Sequence, residues 1–72
     1  MPTELRWEDA EDVGLALAKK YPKQNPLEVR FTDLRRMIIE LPLFTDDPQA
    51  SNEAKLEAIQ MAWHDEYQDR NQ

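Results

Sequence analysis

Cysteine is absent from this 72-residue sequence, and glycine occurs only once. Without cysteine the chain cannot form a disulfide, bind zinc or an iron-sulphur cluster through thiolates, or donate a persulfide. A single glycine excludes the glycine-rich loops that bind nucleotide phosphates. The one histidine, His64, has Gln60 and Gln68 as its helical neighbours, and neither is a partner for acid-base catalysis. The sequence therefore predicts a protein that is not an enzyme.

Long apolar runs are also missing. Stretches such as Leu15 to Ala18 fall far short of the roughly 20 residues that span a bilayer. The first residues include an acid, Glu4, where a presequence would carry bases, which indicates a cytoplasmic protein of bacterial type. A chain of this length forms one domain, 1–72, with a small core. We expect a monomer with an ordered part of about 5–67 and frayed ends.

Charge is divided unevenly along the chain, whose formal net charge is −6. Counting Lys and Arg against Asp and Glu gives −4 for residues 1–18, +4 for 19–36 and −6 for 37–72. An acidic domain repels the phosphates of nucleic acid, whereas it attracts a basic protein surface. The charge pattern therefore predicts a basic protein partner and no binding to nucleic acid, and the short apolar runs predict no membrane partner.

Apolar side chains recur at helical spacing in the first half of the chain. The first helix is predicted from near Glu8, whose neighbouring acids suit the positive end of a helix dipole, and it stops before Pro22. The second is predicted from the N-cap Thr32 to the residue before Pro42. Between them, alternation of apolar and charged residues permits at most a short extended segment near 28–31.

A third and longest helix is predicted in the last part of the chain. Ser51 is its expected N-cap, and apolar residues at helical spacing carry it to about Tyr67. Leu43 and Phe44, ahead of it, are expected to pack inward as an anchor. The sequence therefore predicts an all-α fold, a small three-helix domain.

Two further pairs of residues have structural interpretations. Trp7 and Trp63 fall on apolar faces, so we expect both in the core. Asp46 and Asp47 precede a proline and lack the glycine and further acids of a calcium loop. A turn in which their side chains bind backbone groups is the preferred interpretation.

Three stretches together resemble a known family. They are Trp7-x-Asp9 with Gly14-x-Ala16-Leu17 and Tyr21-Pro22; Val29 to Leu34; and Phe44-x-Asp46 to Glu53 followed by Leu56 to Ile59 and Trp63. Over about Leu5 to Glu66, the chain resembles the IscX family of iron-sulphur cluster assembly proteins. The resemblance implies a modified winged-helix fold, weak binding of ferrous or ferric iron by surface carboxylates, and binding to the cysteine desulfurase IscS as a frataxin-like modulator. Inhibition of the desulfurase, its activation and competition with frataxin are three modes of action that the resemblance leaves open.

The acidic side chains are the candidate site. We expect the partner to bind a set drawn from the start of the first helix and the end of the third: Glu8, Asp9, Glu11, Asp12, Asp65, Glu66 and Asp69. The first four are also the candidate iron ligands, since hard cations prefer carboxylate oxygen. In a helix, Glu8 would lie beside Glu11 and Asp12. The alternative is that the first four acids only complement the helix dipole and favour solubility, and that the three at the end of the third helix, where acids oppose the dipole, serve solubility alone.

A second functional hypothesis rests on the basic middle of the chain. Its six bases are Lys19, Lys20, Lys23, Arg30, Arg35 and Arg36. A winged-helix DNA-binding protein would use the second helix, with Arg35 and Arg36, as its recognition helix. The acids on both flanking helices oppose contact with phosphates. The adaptor interpretation is therefore preferred over DNA binding.

Overall fold

The computed structural model describes residues 4–70, and in this part every regular element is helical. The elements, in order, are α1 (Ala10–Lys20), a 3₁₀ turn (Pro26–Glu28), α2 (Phe31–Ile39), a second 3₁₀ turn (Pro48–Ala50) and α3 (Glu53–Arg70). The only β pairing among the described residues is an isolated parallel bridge between Leu5 and Phe44. The predicted all-α, three-helix fold is confirmed, while its likeness to a winged helix stays a prediction. Among these elements there is no helix of the length and apolarity that crossing a membrane requires.

Helix α1 begins at Ala10, two residues later than near Glu8. A turn precedes it, in which the Arg6 backbone N–H donates to the Asp9 carboxylate at 3.1 Å. The Val13 N–H donates to the Asp9 carbonyl at 2.9 Å and so starts the helix. Because Glu8 lies before the helix, its predicted helical spacing with both Glu11 and Asp12 is wrong.

The predicted caps of the other two helices are also displaced. Helix α2 begins at Phe31, so Arg30 takes the cap position and Thr32 lies inside the first turn. In α3 the capping side chain is Asn52, not Ser51, because the Asn52 amide oxygen accepts from the Lys55 N–H at 2.9 Å.

The far end of α3 extends beyond the predicted stop at Tyr67 and reaches Arg70. The expected ordered part of about 5–67 stays a prediction. Fraying was also expected at the chain ends, and residues 1–3 and 71–72 lie outside the described part.

The segment near 28–31 contains two residues of extended backbone, Val29 and Arg30, between the first 3₁₀ turn and α2. It pairs with no strand in the described part of the chain. The Gln60 side-chain amide instead donates to the Pro26 carbonyl at 3.0 Å, which fixes the 3₁₀ turn against α3.

A single apolar core joins the three helices and the segment before α1. Its buried residues are Leu5, Trp7, Val13, Leu17, Ala18, Leu34, Ile38, Leu41, Leu56, Ile59 and Trp63. The prediction that both tryptophans lie in the core is confirmed. Phe44 packs edge-on against the Trp7 ring, with 4.8 Å between ring centroids. Leu43 is 46% exposed, so the predicted anchor is right for Phe44 and wrong for Leu43.

The closest approach of α1 to α3 requires the single glycine. A Cβ atom on Gly14 would lie 2.7 Å from the Trp63 backbone nitrogen and 2.9 Å from the Ala62 Cβ. Real Cβ atoms do not tolerate such distances, so a larger residue would force the helices apart. This close packing places the start of α1 beside the second half of α3.

Candidate functional site

A groove between α1 and α3 brings together acids that are far apart in the sequence. It has a volume of about 520 Å³ and is lined by Ala10, Glu11, Ala58, Ala62, Asp65 and Glu66. One carboxylate comes from α1 and two come from α3, with alanines between them. We call this site the acidic groove.

The acidic surface continues past the groove towards the start of α1. A second depression, of about 280 Å³, is lined by Glu8, Asp9, Ala10, Glu11 and Asp12. The two depressions share Ala10 and Glu11, so the two predicted acidic clusters form one surface. Of the seven predicted partner-binding residues, six line it. Asp69 does not line it and lies one turn beyond Asp65 on α3.

The carboxylates of this surface are almost all free. Within residues 4–70, no hydrogen bond or ion pair engages those of Glu8, Glu11, Asp12, Asp65 or Glu66. Asp9 is the exception, because its carboxylate accepts from the Arg6 N–H. With no base paired to them, these acids leave an uncompensated negative field that attracts a cationic surface.

Asp46 and Asp47 are acids of a different kind. The Asp46 carboxylate accepts from the backbone N–H groups of Trp7, at 3.1 Å, and Asp47, at 2.8 Å. These two bonds stabilise the charged form and lower the Asp46 pKa below its ordinary value. The Asp47 carboxylate accepts from the Gln49 N–H at 2.9 Å. The structural interpretation of this turn is confirmed.

The same turn fixes the segment that precedes α1. The Trp7 indole N–H donates to the Asp47 carbonyl at 2.6 Å, while the Trp7 backbone N–H binds Asp46. Both bonds join residues about forty positions apart. They therefore hold the chain in place at Trp7, directly before Glu8 and Asp9. The turn therefore positions one edge of the acidic surface.

The arrangement does not fit a closed metal site. Among residues 4–70, no three His, Asp or Glu side chains are placed together as ligands. Of the four predicted iron ligands, Glu8, Asp9, Glu11 and Asp12 lie close in the chain, but Asp9 already binds the Arg6 N–H. Iron binding by these residues stays a prediction, and side-chain rearrangement would have to accompany it.

The basic residues of α2 have internal partners. The Arg35 guanidinium donates two hydrogen bonds to the Pro48 carbonyl, at 3.1 and 2.8 Å. Arg36 lies 3.7 Å from Asp33 in an exposed ion pair. Arg35 thus ties α2 to the turn after it, so its guanidinium is already engaged within the chain.

One surface feature was not predicted from the sequence. A groove of about 370 Å³ is lined by Leu5, Ala16, Lys19, Lys20, Leu41, Pro42 and Leu43. We call it the apolar groove. Its walls come from three separate segments, so periodicity could not identify it. The one local signal was the apolar run Leu41-Pro42-Leu43 directly after α2.

Comparison with known proteins assigns the chain to a family. A model of the family described as Iron-sulphur cluster assembly matches residues 5–68. An uncharacterized protein of Pseudomonas aeruginosa is 48% identical over 62 residues, which cover 86% of this chain and 94% of that relative. The match extends from the bridge residue Leu5 almost to the end of α3 and so includes both walls of the acidic groove. The chain belongs to the iron-sulphur cluster assembly family.

Proposed function

We propose that this protein is a regulatory adaptor that docks on the cysteine desulfurase IscS through the acidic groove and the adjoining acids of the turn before α1. The observation that carries the proposal is the meeting of two acidic clusters whose carboxylates have no partner in the described chain. Membership of the iron-sulphur cluster assembly family supports a role in that process. Docking on IscS is the more specific step, and the resemblance to IscX proteins suggests it.

The groove has the chemistry to bind cationic side chains. Long Lys and Arg side chains combine an apolar stem with a charged head. The alanines at 10, 58 and 62 would contact the stem, while Glu11, Asp65 and Glu66 would bind the head. Arg is the better fit where two carboxylate oxygens are offered together, because its planar fork binds them simultaneously.

The proposed mode of action is occupancy of a site. By covering a basic surface of the desulfurase, the adaptor would alter access of other components and thereby the rate of sulphur transfer. Competition with frataxin for that surface follows from this mode. The protein would act in the cytoplasm and contribute no reacting group. No specific observation on α2 favours DNA binding as a second function.

The proposal predicts strong salt dependence of the complex. Exposed charges are screened beyond about 8 Å at physiological ionic strength, and mutual attraction of opposite surfaces accelerates association. Raising the salt from about 50 to about 500 mM should weaken the affinity roughly tenfold or more. Titration of purified IscS with this protein, followed calorimetrically, measures it.

Charge reversal identifies the surface. The triple variant Glu8→Lys, Glu11→Lys and Asp12→Lys should abolish binding. A matched triple variant, Glu28→Lys, Glu40→Lys and Glu57→Lys, changes the net charge equally at exposed acids outside the acidic groove and should retain most of the affinity. If both folded variants bind as the unaltered protein does, the acidic surface is not the docking site.

A turnover assay then tests the functional effect. Cysteine desulfuration by IscS should change when the unaltered protein is added and should not change with the first triple variant. Repeating the assay with added ferrous iron, and with frataxin, measures the predicted weak iron effect and the competition. An equal effect from both triple variants would contradict regulation through this surface.

A further inference from the structure

We propose that the apolar groove is a second docking site, which binds a protein segment that carries a bulky apolar side chain beside one or more carboxylates. The acidic groove involves the start of α1, at Ala10 and Glu11, whereas the apolar groove involves its end, at Ala16, Lys19 and Lys20. The two sites therefore face partners of opposite charge.

The walls of the groove offer a fixed apolar surface. Leu5 and Leu41 are buried, at 3% and 4% exposure, while Leu43 is 46% exposed. The backbone that carries Leu43 is held on both sides, because the Leu5 N–H donates to the Leu43 carbonyl at 2.7 Å and the Thr45 N–H donates to the Leu5 carbonyl at 3.0 Å. An exposed leucine on a fixed backbone is preorganised for contact, so little ordering opposes binding there.

Charge complementarity defines the occupant. The rim of the groove carries Lys19 and Lys20, which lie in the stretch 19–36, whose net charge is +4, whereas the stretches 1–18 and 37–72 are net negative. The Lys20 ammonium lies 5.6 Å from the Tyr21 ring centroid, a cation-π contact that holds it near the rim. Lysines also suit the end of a helix dipole, but the dipole does not explain the apolar walls beside them.

The shape favours a protein segment as the occupant. Small-molecule sites are largely enclosed and combine apolar walls with several fixed polar groups. Here the available polar groups are two lysines on flexible stems, and the backbone groups of Leu5 are already paired. A volume of about 370 Å³ accommodates one bulky side chain of the bound segment, while the residues beside it in that segment stay outside the groove. A second copy of this chain is a poorer occupant, because its acidic face on the apolar groove would make a head-to-tail contact, whereas most homo-oligomers are two-fold dimers that pair the same surface on both copies.

The consequence is a two-ended adaptor. A basic partner would bind at the start of α1 and an acidic one at its end, so one small domain could hold two components together. This inference concerns a different surface from the desulfurase site, and either proposal can fail without the other.

Peptide selection tests the inference. The full chain, biotinylated and immobilised, is used to select phage-displayed twelve-residue random peptides, and enriched sequences are synthesised with a fluorescent label. The expected peptides contain Leu, Phe or Trp next to Asp or Glu. Their affinity, measured by fluorescence polarisation, should fall at least about tenfold for Leu43→Ser and for the double variant Lys19→Gln and Lys20→Gln, in line with the loss of an interface anchor.

Matched controls are available on the same chain. Met61→Ser removes an apolar side chain of similar exposure, 51%, that does not line the groove, and Lys23→Gln with Lys55→Gln removes two bases elsewhere. Both controls should bind the peptides as the unaltered chain does. All variants are checked by circular dichroism, and Leu43 is exposed enough for its substitution to leave the fold intact.

Four results would overturn the inference. They are the absence of any enriched peptide, enrichment without the acidic and apolar pattern, equal binding to Leu43→Ser, and loss of peptide binding in the Glu8, Glu11 and Asp12 triple variant but not in the groove variants. Sedimentation of the chain alone adds one more test. Concentration-dependent association that Leu43→Ser abolishes would make a second copy the occupant and would contradict the proposed acidic partner.

Discussion

Two groups of acids in this protein look alike in sequence and differ in structure. Asp46 and Asp47 bind the backbone N–H groups of Trp7, Asp47 and Gln49, and so they hold a turn together. The carboxylates of the acidic groove have no such partner among residues 4–70. The difference shows that an acid's role depends on which donors the fold places near it. The first group stabilises the fold, and we propose that the second serves recognition.

The largest expected loss of stability comes from changing the helix contact that forms the acidic groove. Gly14→Ala introduces a Cβ atom 2.7 Å from the Trp63 backbone nitrogen, so α1 and α3 must separate. Overpacking of this kind costs about 1–3 kcal/mol, partly offset by the better helix propensity of alanine, roughly 1 kcal/mol. Urea unfolding measures the net loss. A variant more stable than the unaltered protein would show that the helices are not in such close contact.

The next effect concerns the bond from the tryptophan to the turn. Trp7→Phe removes the indole N–H that donates to the Asp47 carbonyl at 2.6 Å. Trp63→Phe is a matched control, because Trp63 is equally buried and its indole N–H has no partner in the described part. The Trp7 variant should therefore lose about 1 kcal/mol more stability than the control. Equal losses of stability in the two variants, measured by thermal unfolding, would show that the indole hydrogen bond does not stabilise the fold.

A smaller effect is expected at the turn itself, and it depends on pH. Asp46→Asn should lower the melting temperature at neutral pH, whereas Asp69→Asn, at an exposed acid that binds nothing in the described chain, should not. The two backbone N–H bonds lower the Asp46 pKa below its ordinary value of 3.8. Its stabilisation is therefore complete above pH 3.8 and is lost as the pH falls through the lower folded value.

The unaltered protein and the Asp46→Asn variant should accordingly converge in stability as the pH falls below 3.8, the ordinary pKa of the Asp46 carboxyl. Thermal unfolding at a series of pH values measures the difference between them. A difference that stays constant down to the most acidic pH would show that the Asp46 charge does not stabilise the turn.

Helical periodicity predicted much of the fold, since the three helices and both buried tryptophans follow from the spacing of apolar residues. The helix starts were less predictable. Asn52 and Ser51 are both good caps, and only the geometry of the chain before α3 selects Asn52. Similarly, Arg30 takes the cap position of α2 although Thr32 has the better side chain.

The candidate site was predicted as a set of acids that bind a partner together, but the contact between its two clusters was not predicted. Composition identified both acidic clusters, yet nothing local to either one indicates that Glu11 lies beside Asp65 and Glu66. That juxtaposition depends on the close contact at Gly14, which is a tertiary feature. The apolar groove was missed for the same reason, because its walls come from segments that only the folded chain brings together.

The smallest effect on stability should accompany a large effect on binding. The double variant Asp65→Lys and Glu66→Lys changes the α3 wall of the acidic groove, and Glu28→Lys with Glu57→Lys is its control of equal charge. The decisive measurement is the affinity of each for IscS, with unfolding followed in parallel. Both should melt close to the unaltered protein, and only the groove variant should lose roughly tenfold or more in affinity. Equal affinity of the two variants would contradict the acidic groove as the docking site.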